Sequence, residues 1–204
     1  MCCLQFEETI PSADSQLLFI KMELCKSSLK HRLYDSKKSD HRSLDKSKKW
    51  FKHIAKGVKH IHDKDFIHRD LKPCNILFNK DRRLKIADMG TLIERKFGND
   101  KVEILVNDDE TIGTFVYKSP EQVSWDPKIS SKSEVFTMGL IFVEMYVIIE
   151  KTEREQIFNS YRAGTQHDHF KDEPETATFV GKLTNKINDK RPSCSEILRD
   201  RFLR

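Results

Sequence analysis

Apolar positions in the middle of the chain recur at spacings of three and four. Phe51, Ile54, Ala55, Val58 and Ile61 trace one face of a helix. Asp45, whose carboxylate can accept the open N–H groups of a first turn, stands where that helix should begin. From Glu134 to Val147 almost every position is apolar, and a helix without a polar face has to lie at the centre of its domain. This segment is the expected structural axis. A shorter helical stretch is expected around Leu29 to Tyr34. Thr152 to Glu155 and Ser193 to Glu196 each have the Ser/Thr-x-x-Glu spacing of a capping box, the second just after Pro192, so two more helices should start there.

The remaining apolar runs are too short for helices. Leu17 to Leu24, interrupted by Lys21, has the length of a buried strand. Phe66-Ile67, Ile76 to Phe78 and Leu84 to Ile86 are apolar pieces separated by polar turns, which suits small strands joined by loops. Residues 36 to 43 carry charge and serine without an apolar period and predict a surface loop. Residues 98 to 111 offer few packing anchors and an acidic cluster at Asp108, Asp109 and Glu110, so a mobile segment is expected there. The pattern predicts a mainly α fold with a few short β-strands and no internal repeat.

Composition narrows the class without naming it. Of 204 residues, 37% are hydrophobic and 34% charged, with a mean hydropathy of -0.63, the balance of a folded globule. The net charge of +5 comes from 37 basic residues spread among 32 acidic ones. A solvated mixed-charge surface explains this, and no direct nucleic-acid binding is expected. The cysteines (Cys2, Cys3, Cys25, Cys74 and Cys194) are odd in number and lack a CxxC spacing, so neither a disulfide framework nor a zinc site is indicated. Residues 1 to 10 include Glu7 and Glu8 and no apolar leader, and the longest apolar run, Met138 to Val143, is far below spanning length. A cytoplasmic protein without a membrane segment is expected.

The chemistry sits in a few consecutive letters. His68-Arg69-Asp70-Leu71-Lys72-Pro73-Cys74-Asn75 matches the whole catalytic-loop pattern of protein kinases. Asp88-Met89-Gly90 follows at the distance where that family has Asp-Phe-Gly at the end of a strand, with Met in place of Phe. Ser119-Pro120-Glu121 resembles the Ala-Pro-Glu signature that closes the activation segment. Met22-Glu23-Leu24-Cys25, Lys118 to Gln122, Gly139-Leu140-Ile141 and Ser195 to Arg199 are similar to the kinases that phosphorylate the alpha subunit of translation initiation factor 2, in particular their double-stranded-RNA-activated branch. The resemblance runs from about Leu17 to the C-terminus.

What the resemblance implies is specific. Asp70 accepts the proton of the substrate hydroxyl, Lys72 contacts the transferring phosphate, and Asn75 and Asp88 hold Mg²⁺ beside ATP. Met22, Glu23, Cys25 and Leu77 form the hinge and nucleotide pocket. Arg69 pairs with a phosphorylated residue of the activation segment, for which Thr111 is the candidate, while Thr114 bonds Asp70 and Lys72. Glu121 and Arg191 form a buried tether under the peptide platform. Thr152 begins the helix that docks the initiation factor, the expected protein substrate.

Two departures temper this. No Gly-x-Gly-x-x-Gly occurs among the seven glycines, and neither a Val-Ala-Ile-Lys strand nor a partner Glu helix precedes residue 17. The resemblance therefore implies a kinase C-terminal lobe over residues 26 to 204, a last strand and hinge over 17 to 25, and a poorly ordered remnant over 1 to 16. With the N-terminal lobe largely absent, this chain alone is expected to be inactive or nearly so. Glu134 stands where the family places an Asp that receives backbone N–H groups of the catalytic loop; its extra methylene either misplaces that loop or is accommodated locally. The alternative to a Ser/Thr kinase is a catalytically silent lobe that occupies a substrate or a partner kinase.

Overall fold

The computed structural model describes residues 5–6, 11–12, 15–16, 20–34, 42–95, 101–103, 115–124, 128–165 and 168–204. Its helices are α1 (Leu29–Tyr34), α2 (Leu44–His62), α3 (Pro120–Val123), α4 (Ser131–Tyr146), α5 (Arg154–Ala163), α6 (Pro174–Leu183) and α7 (Cys194–Arg199). Strands among the described residues are only two or three residues long, so the fold is mainly α with short strands, as the apolar pattern predicts. No helix among the described residues is long and apolar enough to cross a membrane.

α4 is the axis. Every residue from Ser133 to Met145 is buried, and the Phe142 ring meets Phe51 of α2 at 5.2 Å, Phe179 of α6 at 5.5 Å and Phe202 at 5.9 Å, mostly edge to face. Such pairs add about 0.5 to 1.5 kcal/mol each beyond the area they bury. Gly139 lets α6 come this close: a Cβ there would lie 2.7 Å from Thr184 Cγ2 and 3.0 Å from Leu183 Cβ.

α2 packs on the other side against a three-stranded antiparallel sheet ordered Ser27–Ser28, Ile76–Phe78, Leu84–Ile86. Gly57 permits the contact, since a Cβ would sit 2.8 Å from Ile86 Cγ1. His53 Nδ1 accepts the Leu84 N–H at 3.3 Å. Ile76 pairs with Ile86, so the end of the catalytic-loop motif and the start of the Asp88 motif leave the sheet side by side.

Several expectations need correction. The cap of α2 is Ser43, extended at φ -132° and ψ 151°, whose hydroxyl accepts the Lys46 N–H; Asp45 lies in the first turn, where its charge meets the positive end of the helix dipole. The capping box expected at Thr152 does not form. Helix α5 starts at Arg154 after a helical Glu153 with no side-chain cap, because the Glu150 carbonyl already accepts the N–H groups of Glu153 and Arg154, at 3.1 Å each. The box at Ser193 and Glu196 forms as expected.

The strand expected from Leu17 to Leu24 is reduced to Ile20–Lys21, paired with Gln5–Phe6. Residues 17–19 lie outside the described residues, and Met22 to Cys25 run on without strand pairing. In the first sixteen positions Pro11–Ser12 pairs with Ser15–Gln16. Of the loop expected over residues 36 to 43 only Arg42 and Ser43 are described, and Arg42 is half-buried rather than on the surface. Its guanidinium donates to the carbonyls of Glu144 at 2.7 Å, Leu33 at 2.7 Å and Val147. Of the mobile segment expected over 98 to 111 only Lys101–Glu103 is described, as a strand paired with Lys128–Ser130. The axial helix begins three residues earlier than its apolar run, capped by Ser130.

Substituting Gly139→Ala is expected to destabilise the fold by about 1 to 3 kcal/mol through overpacking against Thr184 and Leu183. The midpoint of urea unfolding reports it, with the slope unchanged.

Candidate functional site

The loop from His68 to Asn75 leaves the strand Phe66–Ile67, which is paired with Ile93–Glu94, and closes on a 3-10 turn at Pro73–Asn75. Two of its region's residues adopt left-handed backbone, Arg69 at φ 68° and Asp88 at φ 64°. Non-glycine residues held there cost on the order of 1 to 3 kcal/mol each and persist only where surrounding contacts over-determine them. Those contacts are present. Arg69 N–H donates to Glu134 Oε1 at 2.8 Å, and its Nε donates to the Thr91 carbonyl at 2.6 Å. Thr91 Oγ1 returns a bond to the His68 carbonyl at 2.7 Å. His68 Nε2 donates to the Ala87 carbonyl at 2.9 Å, leaving its Nδ1 to accept the Asp70 N–H at 3.3 Å. The two chemical motifs are thereby stitched into one unit.

Asp70 is the centre of that unit. Its buried carboxylate accepts from Lys72 Nζ at 2.6 Å and from Asn75 Nδ2 at 3.0 Å on the same Oδ2, and Asn75 Nδ2 also reaches the Asp70 carbonyl at 3.0 Å. Desolvation alone would lower the Lys72 pKa; the hydrogen bond and charge of Asp70, with the charges of Cys74 and Asp88, outweigh it and raise it. Asp88 joins through the backbone, since Ala87 N–H donates to the Asn75 carbonyl at 2.9 Å. Asn75 spends its amide nitrogen on Asp70, so its side-chain carbonyl oxygen and the exposed Asp88 carboxylate are candidate hard oxygen donors. Among the described residues no cluster of three or more His, Cys, Asp or Glu could cage a metal. Two oxygens fit a cation that keeps waters and arrives with phosphate, the habit of Mg²⁺.

Glu134 is accommodated locally. While Oε1 takes the Arg69 N–H, Oε2 accepts from His62 Nε2 at 2.7 Å, and the Cys194 thiol lies 3.7 Å from the remaining His62 nitrogen. Burial first, then the Glu134 charge, push the Cys194 thiol up to about 12, so it stays protonated. One carboxylate therefore serves both the loop from His68 to Asn75 and the end of α2.

The tether is formed. Arg191, 1% exposed, donates from both terminal nitrogens to Glu121, at 2.7 and 2.9 Å. Burial raises the Glu121 pKa, but the Arg191 hydrogen bond and charge prevail and hold it at about 2. Thr111 and Thr114 lie outside the described residues. The platform between them and α3 is held by groups that no motif pointed to. Arg162 of α5 donates to the carbonyls of Phe115, Val116 and Lys118. Tyr117 OH donates to Glu144 Oε2 at 2.6 Å, and Thr137 Oγ1 to the Tyr117 carbonyl at 2.8 Å. Glu144, fully buried, also accepts from Tyr34 OH and from Arg154 at 3.2 Å. Its only signal in the sequence was a second acid inside an otherwise apolar helix.

Of the residues expected to form the hinge and nucleotide pocket, Met22 is exposed, at 65%, as is the neighbouring Leu24, at 87%, while Cys25 and Leu77 are half-buried. Ser28, three residues after Cys25, pairs with Leu77. The Glu23 carboxylate turns to the hairpin, accepting from Asn79 Nδ2 at 2.9 Å and lying 3.1 Å from Lys85 Nζ; these two partners hold its pKa below the usual range. Thr152 is exposed, in the turn before α5 and apart from the Asp70 cluster.

Two substitutions probe this scaffold. Glu134→Ala strands the Arg69 N–H and His62, and should cost about 3 kcal/mol, whereas Glu134→Asp keeps one partner and costs less; chemical denaturation ranks them. For Glu121, the folded pKa of about 2 lies below the reference 4.5. Its stabilisation of about 3 kcal/mol is complete above pH 4.5 and lost as pH falls towards 2. The stability gap between the natural protein and Glu121→Gln should therefore close over that window, as followed by unfolding at stepped pH.

The comparisons agree with this geometry. The protein kinase domain model matches residues 4–203. The eukaryotic translation initiation factor 2-alpha kinase pek-1 of Caenorhabditis elegans is 31% identical over 98% of this chain and 20% of its own length. The human eIF-2-alpha kinase GCN2 is 28% identical over 98% of this chain and 13% of its own length. The interferon-induced, double-stranded RNA-activated protein kinase of Rattus norvegicus is 33% identical over 91% of this chain and 35% of its own. The chain thus spans between about an eighth and a third of these relatives. With a matching model over nearly all its length and the motif residues gathered at one carboxylate, the chain belongs to the protein kinase domain family.

Proposed function

We propose that this chain carries the phosphate-transfer residues of a Ser/Thr protein kinase that acts on the alpha subunit of translation initiation factor 2, using ATP and Mg²⁺. The observation that carries the reading is the convergence of Lys72 and Asn75 on one oxygen of Asp70. The names of the similar proteins support the choice of substrate.

In this reading Asp70 orients the attacking Ser or Thr hydroxyl and accepts its proton, with Lys72 poised beside it to balance charge on the transferred group. Asn75 and Asp88 offer their oxygens to Mg²⁺, whose charge neutralises phosphate oxygens when it is bound. Met22, Glu23, Cys25 and Leu77 border the nucleotide base. Glu23 does so through its backbone, because its side chain is engaged by Asn79 and Lys85. Arg69, anchored through Nε to Thr91, receives a phosphate on Thr111, and Thr114 joins Asp70 and Lys72. The Glu121–Arg191 pair fixes the platform, and the exposed Thr152 meets the protein substrate at the mouth of α5.

The test is ATP-dependent phosphate incorporation into purified initiation factor 2 alpha subunit by this chain joined to a kinase N-terminal lobe that carries a glycine-rich loop and strand lysine, with and without Asp70→Asn, because the chain alone is expected to be inactive or nearly so. A drop of about 100- to 10,000-fold is expected for Asp70→Asn, and of about 100- to 1000-fold for Lys72→Ala. Incorporation unaffected by either change would overturn the reading, and substrate binding with no transfer at all would favour the silent-lobe alternative.

A further inference from the structure

The first residue of α5 is an arginine that turns inward. Arg154 Nη1 lies 3.2 Å from Glu144 Oε1 and donates to Tyr34 OH at 2.9 Å. Its guanidinium carbon is 5.8 Å from the centre of the Tyr34 ring and 5.9 Å from that of Tyr117, within the range of cation–π attraction. Glu144 is fully buried, and the Arg154 side chain is 17% exposed. A desolvated carboxylate flanked by two aromatic rings is a set of groups that recognises a planar cation.

The rings keep their places through contacts that do not involve Arg154. Tyr117 OH donates to Glu144 Oε2, and the Tyr117 carbonyl accepts from Thr137. Tyr34 OH donates to Glu144 Oε1 from α1, a helix anchored by the buried Leu29 and Leu33. Burial and then the Glu144 charge push the pKa of both tyrosines up, so both remain phenols. Arg42 is the other cation nearby, and it gives its terminal nitrogens to the carbonyls of Leu33, Glu144 and Val147. The carboxylate is left to Arg154, which arrives on a helix end with no side-chain cap. This cluster also borders the platform: Tyr117 closes the 3-10 turn Phe115–Tyr117, where Phe115 is 51% exposed, and Tyr34 is 39% exposed.

We propose that Glu144, Tyr34 and Tyr117 form a guanidinium receptor beside the platform, and that Arg154 fills it from within the chain and so bars an arginine of the protein substrate from it. The barred arginine is a substrate's only on the kinase reading above; the receptor stands on its own contacts. Arg154 is then a specificity-determining residue that acts by occupancy, not on the transferred phosphate. A buried carboxylate deprived of its cation is left uncompensated, and a planar fork satisfies it better than an ammonium does. Removing Arg154 therefore hands the site to an incoming guanidinium of the right reach.

The experiment uses the full 204-residue chain and needs no phosphate transfer, so its outcome and that of the Asp70→Asn assay are independent. In Arg154→Ala the thermal unfolding midpoint should fall and be restored saturably by methylguanidinium but not by methylammonium, while the natural chain gains nothing from either. Fluorescein-labelled serine peptides, each with one arginine at a different distance from the serine, read selectivity by fluorescence anisotropy. The natural chain should bind them all alike. Arg154→Ala should bind one of them about tenfold or more tightly than the rest, and adding Glu144→Gln should abolish that preference. If Arg154→Ala folds only with methylguanidinium, Arg154→Gln, which keeps an amide donor at this position, carries the peptide measurement with the same expectation. No rescue, or equal rescue by methylammonium, would overturn the receptor. An arginine preference already present in the natural chain, or absent from the variants, would overturn the exclusion.

Discussion

One buried carboxylate governs the geometry of the site. Glu134 sits one turn into α4, a helix with no polar face, and divides its two oxygens between the Arg69 backbone and the His62 ring. A carboxylate in such surroundings is tolerable only when its oxygens are taken by donors. The two donors come from the catalytic loop and from the end of α2, so satisfying Glu134 fixes both against the axis of the core. The left-handed turn at Arg69, unfavourable by itself, becomes the conformation that brings its N–H to this acceptor. Placement of Asp70, the next residue, follows.

The same logic repeats ten residues along the helix. Glu144 is fully buried and gathers Tyr34, Tyr117 and Arg154, elements from three different parts of the chain. Burial together with the Glu144 charge pushes the Tyr117 pKa up, so the phenol remains a donor. The two acids divide the labour: one holds the loop that carries the chemical groups, the other the platform beside it. An apolar helix studded with two carboxylates is thus a frame, with each charge placed where an irregular segment needs an anchor that hydrophobic contact cannot provide.

What could be read from the chain beforehand was whatever depends on local order. The helix through Phe51, Ile54 and Val58, the buried run after Glu134, and the box at Ser193 each state their structure within a few residues, and the motif letters from His68 to Asn75 named the site because their spacing is short. Errors fell where the answer depended on distant partners. Asp45 looks like a cap, but Ser43 reaches the helix first. Thr152 looks like a cap, but backbone carbonyls already do its work. Arg42 reads as loop until Leu33, Glu144 and Val147 supply acceptors from elsewhere in the fold. His62, Glu144 and Arg162 were silent for the same reason: nothing beside them in sequence reveals which carbonyl or carboxylate they will meet.

Arg162 has a consequence for distance. Its guanidinium is buried, and its donors go to Asn159 and to three carbonyls of the Phe115–Lys118 stretch. That stretch is fixed in turn to α4 by Thr137 and Tyr117, and α4 to the catalytic loop by Glu134. Helix α5 and the Asp70 carboxylate are therefore two ends of a calliper with no free joint between them. The span from α5 to Asp70 is thereby a fixed dimension of the fold, set by side-chain bonds to backbone groups more than by contact between the two.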